Sequence, residues 1–281
     1  MTNSTRPRLL VTGATGGMGR ATSLSAIGKG WDLLLADLDA GKLRALADEC
    51  QAAGAGASWC VLDVTNRESI DTLAAAASDS GIDGIVHTVG LSPTMADGKR
   101  IIEVDLIGFI ASLEALRPAM RHGSCAVCIS SMSAHMVPPN AEIDALLAAP
   151  LAADLMDKVA QLPGAPLDSA AAAYPYSKKA LINYVESHSG EWGKEGKRLV
   201  TISPGLIDTG MGKQEEAASK EQFAWMETMI SLGRHGEADE IASAALFLVS
   251  QDASYVSGID LKVDGGFTGS FRQMQRAAVD S

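Results

Sequence analysis

The feature that most constrains this chain is a glycine cluster at the end of its first apolar run. Leu9 to Thr12 is followed by Gly13-Ala14-Thr15-Gly16-Gly17-Met18-Gly19, which leads directly into a segment of helical period. Gly13 permits a tight turn, Gly17 lets backbone approach a pyrophosphate, and Gly19 allows a helix to pack closely on a strand, while the first helical amides face an anion. A glycine cluster alone is weak evidence. Strand, glycine turn, helix and a second strand ending in an acid together make a strong signal for dinucleotide binding.

The rest of the chain keeps that rhythm. Short strand-like runs at 9–12, 32–36, 58–62, 84–88, 124–130, 198–203 and 259–263 alternate with helical candidates near 18–28, 40–53, 66–78, 98–120, 174–194 and 237–250. Such alternation predicts an α/β fold: a three-layer, doubly wound parallel sheet of the Rossmann type, in one domain over 1–281. Two segments break the pattern. Residues 137–173 carry five prolines and amphipathic pieces at 143–147 and 151–160, which predicts an inserted helical subregion ahead of the helix at 174. Residues 210–233, with Phe223, Trp225, Met226, Met229 and Ile230 at partly helical spacing, predict a substrate-binding lid rather than a partner site. The last residues, 270–281, are expected to be loosely held.

Composition narrows the function classes. At 281 residues and 47% hydrophobic content, one sizeable core can be buried, and a net charge of −11 with no basic patch argues against nucleic-acid binding. No apolar run reaches the roughly 18 residues of a membrane span, so no membrane association and a cytoplasmic location are expected. Cys125 and Cys128 could suggest a redox or metal pair, but residues three apart on a strand face opposite ways, so core thiols and no metal site are expected.

Asp37 follows the second strand 18 residues beyond Gly19, the distance of a ribose-binding acid. Its carboxylate suits ribose hydroxyls and would repel a 2′-phosphate, and neither Thr15 nor Leu38 supplies a cation for one, so NAD is favoured over NADP. The competing reading is that Asp37 caps the next helix, although Asp39 is better placed for that. Later, Tyr174-Pro175-Tyr176-Ser177-Lys178 puts a tyrosine and a lysine on one helical face, with Pro175 expected in the first turn. A phenol is a poor base at neutral pH unless neighbouring cations stabilise its phenolate, and Lys178 and an oxidised nicotinamide would both do so. Ser131, at the end of the fifth strand, could bond the substrate oxygen beside it.

These motifs, together with Asp63-Val64, Ile129-Ser130-Ser131, Pro204-Gly205-Leu206-Ile207-Asp208-Thr209 and Asp264-Gly265-Gly266, resemble the short-chain dehydrogenase/reductase family in order and spacing from Leu9 to about Gly266. The resemblance is to its shorter dehydrogenase branch, and the insertion, preceded by Ser133-Ala134-His135, is similar to that of the bacterial 3α-hydroxysteroid dehydrogenase/carbonyl reductases. It implies an NAD-dependent enzyme interconverting a secondary alcohol and a ketone, the substrate being steroid-like, alicyclic or aromatic. By the same likeness Tyr174 is the acid-base, Ser131 orients the substrate oxygen, and Lys178 binds ribose and acidifies Tyr174. The cofactor is implied to contact Gly13, Thr15, Gly17, Met18, Gly19, Asp37, Asp63, Val64, Gly90, Tyr174, Lys178, Pro204, Gly205, Ile207 and Thr209, and the chain is implied to be a homodimer or homotetramer.

Three departures stand out. His87-Thr88-Val89-Gly90 replaces the family's Asn-Asn-Ala-Gly, and His87 reads as structural rather than as a base. Asp105 stands where the family has a catalytic asparagine, a place from which a backbone carbonyl could still support a proton relay. Ser131 and Tyr174 are 43 residues apart, through the insertion. The alternative from another class is a catalytically silent NAD(H)-sensing regulator, which would have no need of the intact Ser131, Tyr174 and Lys178. An enoyl reductase is disfavoured by the short spacing of tyrosine and lysine.

Overall fold

Apolar residues alternate along successive strands, and the two sides they form bury two separate faces of one sheet. The computed structural model describes residues 6–163 and 167–279. In chain order, β1 (Arg8–Thr12), α1 (Gly17–Gly28), β2 (Asp32–Asp37), α2 (Ala40–Ala52), β3 (Ala57–Val61), α3 (Arg67–Ser78) and β4 (Ile82–His87) form the first half. Then come α4 (Gly98–Ile102), a π-helical turn (Glu103–Gly108), α5 (Phe109–Leu116) and β5 (Met120–Ile129). The helices α6 (Ala141–Leu147) and α7 (Leu155–Ala160) precede α8 (Ala170–Lys194) and β6 (Arg198–Pro204). A short pair, β7 (Ile207–Asp208) and β8 (Gly236–Glu237), brackets α9 (Gly210–Ala218) and α10 (Lys220–Glu227), and α11 (Ala238–Val249), β9 (Asp260–Val263) and α12 (Phe267–Val279) follow.

Seven parallel strands run in the order β3-β2-β1-β4-β5-β6-β9, with adjacent registers such as Leu10↔Leu34 and Leu10↔Ile85. Leu10, Leu34, Ile85, Ala126 and Leu199 pack under α3, α5 and α8, whereas Leu9, Leu33, Val86, Val127 and Val200 pack under α1, α2 and α11. This is the doubly wound α/β fold, a single domain, with a crevice where the chain reverses between β1 and β4. Cys125 and Cys128 fall into opposite clusters, as the pleat requires, and both are free, buried thiols.

Several expectations need correction. The helix expected over 98–120 passes through a π-helical turn at Glu103–Gly108 and ends at Leu116, with Pro118 in a 3₁₀ turn at Arg117–Ala119 before β5 begins; Gly108 packs so close to the Val64 carbonyl that a Cβ would sit 2.5 Å from it. The tyrosine helix starts at Ala170, where the Ser169 hydroxyl accepts from the Ala172 amide. Pro175 is therefore inside the second turn, not the first, and the Ala171 carbonyl loses its usual helical donor. Residues 270–279, expected to be loose, belong to α12. Its Phe267 and Phe271 pack with Met132, Phe223, Met226 and Ile230, so the last helix braces the base of α10.

The insertion does form helices, α6 and α7. Ile143, Leu147, Leu155 and Val159 join the core cluster of α8, and Lys179 Nζ sits 2.8 Å from Asp144 Oδ2.

Candidate active site

The glycine loop is built as tightly as its sequence demands. Gly13 has φ 65°, and a Cβ there would lie 2.6 Å from the Thr88 hydroxyl; a Cβ on Gly19 would strike the Gly13 carbonyl oxygen. Gly16 precedes α1 without a side-chain cap, and no acidic residue occupies its first turn, so the leading amides face an electropositive cradle open to a pyrophosphate. A Cβ on Gly17 would lie 2.7 Å from the Thr209 methyl, so the phosphate loop and the start of α9 touch.

Asp37 does not cap α2; Asp39 does, accepting from the Gly41 and Lys42 amides. Asp37 Oδ2 instead accepts from the Thr15 amide (2.8 Å) and hydroxyl (2.7 Å), while Oδ1 accepts from the Leu38 amide, tying the acid to the glycine loop. Asp63 closes an Asx turn through Thr65, and Val64 is buried beneath Gly108. These groups follow a track along the carboxyl ends of β1, β2 and β3, a setting that fits a nicotinamide dinucleotide.

At the far end of the track, Lys178 and Asp105 meet. Lys178 Nζ is 3.2 Å from Asp105 Oδ2, 3.5 Å from the Ile129 carbonyl oxygen and 5.5 Å from the Tyr174 ring centre. Gly90 closes over this pair, since a Cβ on it would lie 3.0 Å from Lys178 Nζ. Asp105 belongs to the π-helical turn, which aims its carboxylate inward, and Oδ1 accepts from the Leu91 amide at 2.8 Å. Burial pushes the Asp105 carboxyl above its ordinary range, opposed by Lys178 and by that amide.

Ser131 lies two residues beyond β5, at the head of a 3₁₀ turn, and Tyr174 lies in the second turn of α8; the fold brings them side by side despite their separation in sequence. The Ser131 hydroxyl lies beside the Tyr174 phenol and accepts from the Ser133 amide at 3.2 Å and hydroxyl at 3.0 Å. Burial pushes the Tyr174 phenol well above its ordinary value, with the charges of Glu215 and Asp105 adding to the rise and the Ser131 hydroxyl opposing it. The phenol is thus held protonated in the free protein.

Ser131 and Tyr174 open onto a cavity of about 550 Å³ whose wall includes Met18, Pro204, Gly205, Ile207 and Thr209. The other wall is apolar: Met132, Met136 and Val137 from the segment after β5, and Phe223 and Met226 from α10. The region 210–233 therefore does cover the cavity, as two helices. Trp225 instead stacks edge-on against Phe271, outside it. The carboxyl of Glu215 on α9 also faces this space; burial pushes it above its ordinary range, opposed by the nearby Ser92 hydroxyl. No motif marks Glu215; only its place within the lid segment could have drawn notice.

His87 lies under the cofactor track, fully buried and stacked on Phe109 at 3.7 Å. Its Nε2 faces the Phe109 carbonyl oxygen and so carries the hydrogen, leaving Nδ1 to accept from the Thr12 hydroxyl. Burial lowers its pKa to about 3, so the ring stays neutral and does not reach the cavity. Among the described residues no cluster of three or more His, Cys, Asp or Glu could hold a metal, and no helix is long and apolar enough to cross a membrane.

Comparison with known proteins places this geometry. Residues 13–152 and 165–268 match the family described as Enoyl-(Acyl carrier protein) reductase. A galactitol 2-dehydrogenase (L-tagatose-forming) of Cereibacter sphaeroides is 30% identical, with 92% of this chain and 93% of that protein covered. The 3-alpha-hydroxysteroid dehydrogenase/carbonyl reductase of Comamonas testosteroni is 29% identical, with 95% and 98% covered. A short-chain type dehydrogenase/reductase structure from Mycobacterium ulcerans, 23% identical, shares the fold at a TM-score of 0.74 over 93% of this chain and 90% of that one. The chain belongs to the short-chain dehydrogenase/reductase family of oxidoreductases.

Proposed function

We propose that the protein is an NAD-dependent dehydrogenase that interconverts a secondary alcohol and a ketone, with Tyr174 as the acid-base group. The observation that carries this reading is the meeting of Ser131 and Tyr174 at the cavity, with Lys178 one helical turn behind and Met18, Pro204, Gly205, Ile207 and Thr209 in the same lining. A bound nicotinamide supplies the hydride acceptor or donor. The leading amides of α1 would hold its pyrophosphate, Asp37 its adenosine ribose, Asp63 and Val64 its adenine, Lys178 its second ribose, and Ile207 and Thr209 its carboxamide.

In reduction, Ser131 bonds the ketone oxygen and the protonated Tyr174 phenol delivers the proton; in oxidation the phenolate takes it back. The raised phenol favours the form that reduction uses, and the positive charges of Lys178 and of an oxidised nicotinamide would reverse that bias. A carboxylate at Asp37, with no cation at Thr15 or Leu38, favours a free 2′-hydroxyl over a 2′-phosphate. The apolar cavity wall and the likeness to a hydroxysteroid dehydrogenase support an alicyclic or aromatic substrate.

The test is a panel of cyclic and aryl ketones and alcohols, followed at the nicotinamide absorbance with each cofactor. Turnover with NAD(H) that falls about 10²- to 10⁴-fold in Tyr174→Phe, with NADH still bound, is expected. Tight NADH binding with no turnover of any compound would sink the reading in favour of a nucleotide sensor.

A further inference from the structure

The substrate cavity has a charge asymmetry that the hydride-transfer chemistry does not need. Its described lining includes three carboxylates, Asp208, Glu215 and Glu216, and neither lysine nor arginine. The residues outside the description, 1–5, 164–166 and 280–281, contain no lysine or arginine either. The one ring able to carry positive charge, His235, already lies between Asp208 (3.2 Å) and Glu227 (2.9 Å). Lys178 faces Asp105 behind the tyrosine and does not line the cavity.

Among the three carboxylates Glu215 is set apart. It is half-buried on the inner side of α9, close to the Ser92 hydroxyl, and near enough to Tyr174 for its charge to weigh on the phenol. The cavity lining it shares includes Met132, Met136, Val137, Phe223 and Met226. A carboxylate held in apolar surroundings without a cation is electrostatically unsatisfied, and a ligand that brings one gains a charge-assisted bond there.

We propose that Glu215 determines specificity, selecting alcohols and ketones with an apolar ring body and a protonated amine a few bonds from the reacting carbon. The proposal rests on the alcohol–ketone reading above. Anionic substrates, including carboxylates and phosphate esters, are repelled by the same wall.

The experiment compares three ketones of similar size: 4-aminocyclohexanone, cationic at neutral pH; 4-methylcyclohexanone, neutral; and 4-oxocyclohexanecarboxylate, anionic. Each is titrated calorimetrically into the protein with NAD⁺, a combination in which no hydride can move, so binding is read apart from turnover. The ammonium ketone is expected to bind at least about tenfold more tightly than the methyl ketone, and the carboxylate most weakly. Glu215→Gln should bring the first two within about threefold of each other. Ser92→Ala trims the hydroxyl beside Glu215 but keeps the charge, and should retain the discrimination. If Glu215 is only a latch, Glu215→Gln and Ser92→Ala weaken all three ketones together and their ranking persists, which overturns the proposal. Equal affinity of the first two ketones for the wild type, or no binding of the ammonium ketone, overturns it as well. Selective binding of the ammonium ketone without its reduction by NADH would leave recognition standing and count against the dehydrogenase reading alone.

Discussion

Asp105 and Lys178 form an ion pair of 3.2 Å from which water is almost wholly excluded. Burial is the main reason the Tyr174 phenol stays protonated, and the charges of Glu215 and Asp105 add to the rise. Asp105→Asn removes that charge while leaving an oxygen to accept from the Leu91 amide. Because the Tyr174 pKa is raised in part by Asp105, the variant should ionise its phenol at lower pH. The rising limb of alcohol oxidation should therefore move toward acid, read as kcat/KM against pH. An unmoved limb would show that this charge does not reach the reacting proton.

Asp105→Ala asks a different question of the same pair. It strands the Lys178 cation in a dry site and leaves the Leu91 amide without its acceptor. Loss of about 3–5 kcal/mol of stability is expected, measured by denaturant unfolding, with Asp105→Asn keeping part of it.

Asp37 is the discriminator to test for the nucleotide. Asp37→Ala should weaken NADH, improve NADPH relative to it by about tenfold or more, and release Thr15, whose amide and hydroxyl both donate to this carboxylate. Fluorescence titration with the two reduced cofactors measures the ratio. An unchanged ratio would relegate Asp37 to bracing the loop.

His87 makes the fold sensitive to acid. Its pKa is about 3 in the folded protein, below its ordinary value near 6.5, so only the unfolded chain takes up the proton between those values. Its contribution is complete above about pH 6.5 and is lost as pH falls toward 3, at up to about 1.4 kcal/mol per unit. His87→Asn should flatten the fall in Tm between pH 7 and pH 5. An equally steep fall in the variant would place the acid sensitivity elsewhere.

Gly19 leaves no room for a methyl group, since its Cβ would meet the Gly13 carbonyl. Gly19→Ala should cost about 1–3 kcal/mol by overpacking and weaken cofactor binding, read by thermal unfolding with and without NADH.

Much of this was legible because it depends on local pattern. The strand alternation around Leu9, Leu33 and Val127, the glycines at 13, 17 and 19, and the separation of Tyr174 from Lys178 are all short-range signals. What escaped depends on tertiary contact. Gly108 meets Val64, more than forty residues away in the chain, a close approach that no local pattern shows. The early start of α8 comes from the Ser169 cap, which sequence reading passed over for a proline rule. The order in 267–279 comes from Phe267 and Phe271 reaching Met132 and the lid; Phe267, Phe271 and Met274 stand at i, i+4 and i+7, a helical spacing that the expectation of a loose end passed over. Glu215 shares this fate, an acid in an acidic stretch until the fold turns it inward.

The touch between Gly17 and Thr209 has a kinetic consequence. Thr209 also caps α9, its hydroxyl accepting from the Gly212 amide, so the first residue of the lid rests on the loop that would receive the pyrophosphate. On the proposed reading, a dinucleotide held there would part the two and complete the wall that the alcohol meets. Cofactor is then expected to bind before alcohol, and ketone to leave before NADH. Product-inhibition kinetics check this: NADH should compete with NAD⁺ alone, and the ketone with neither.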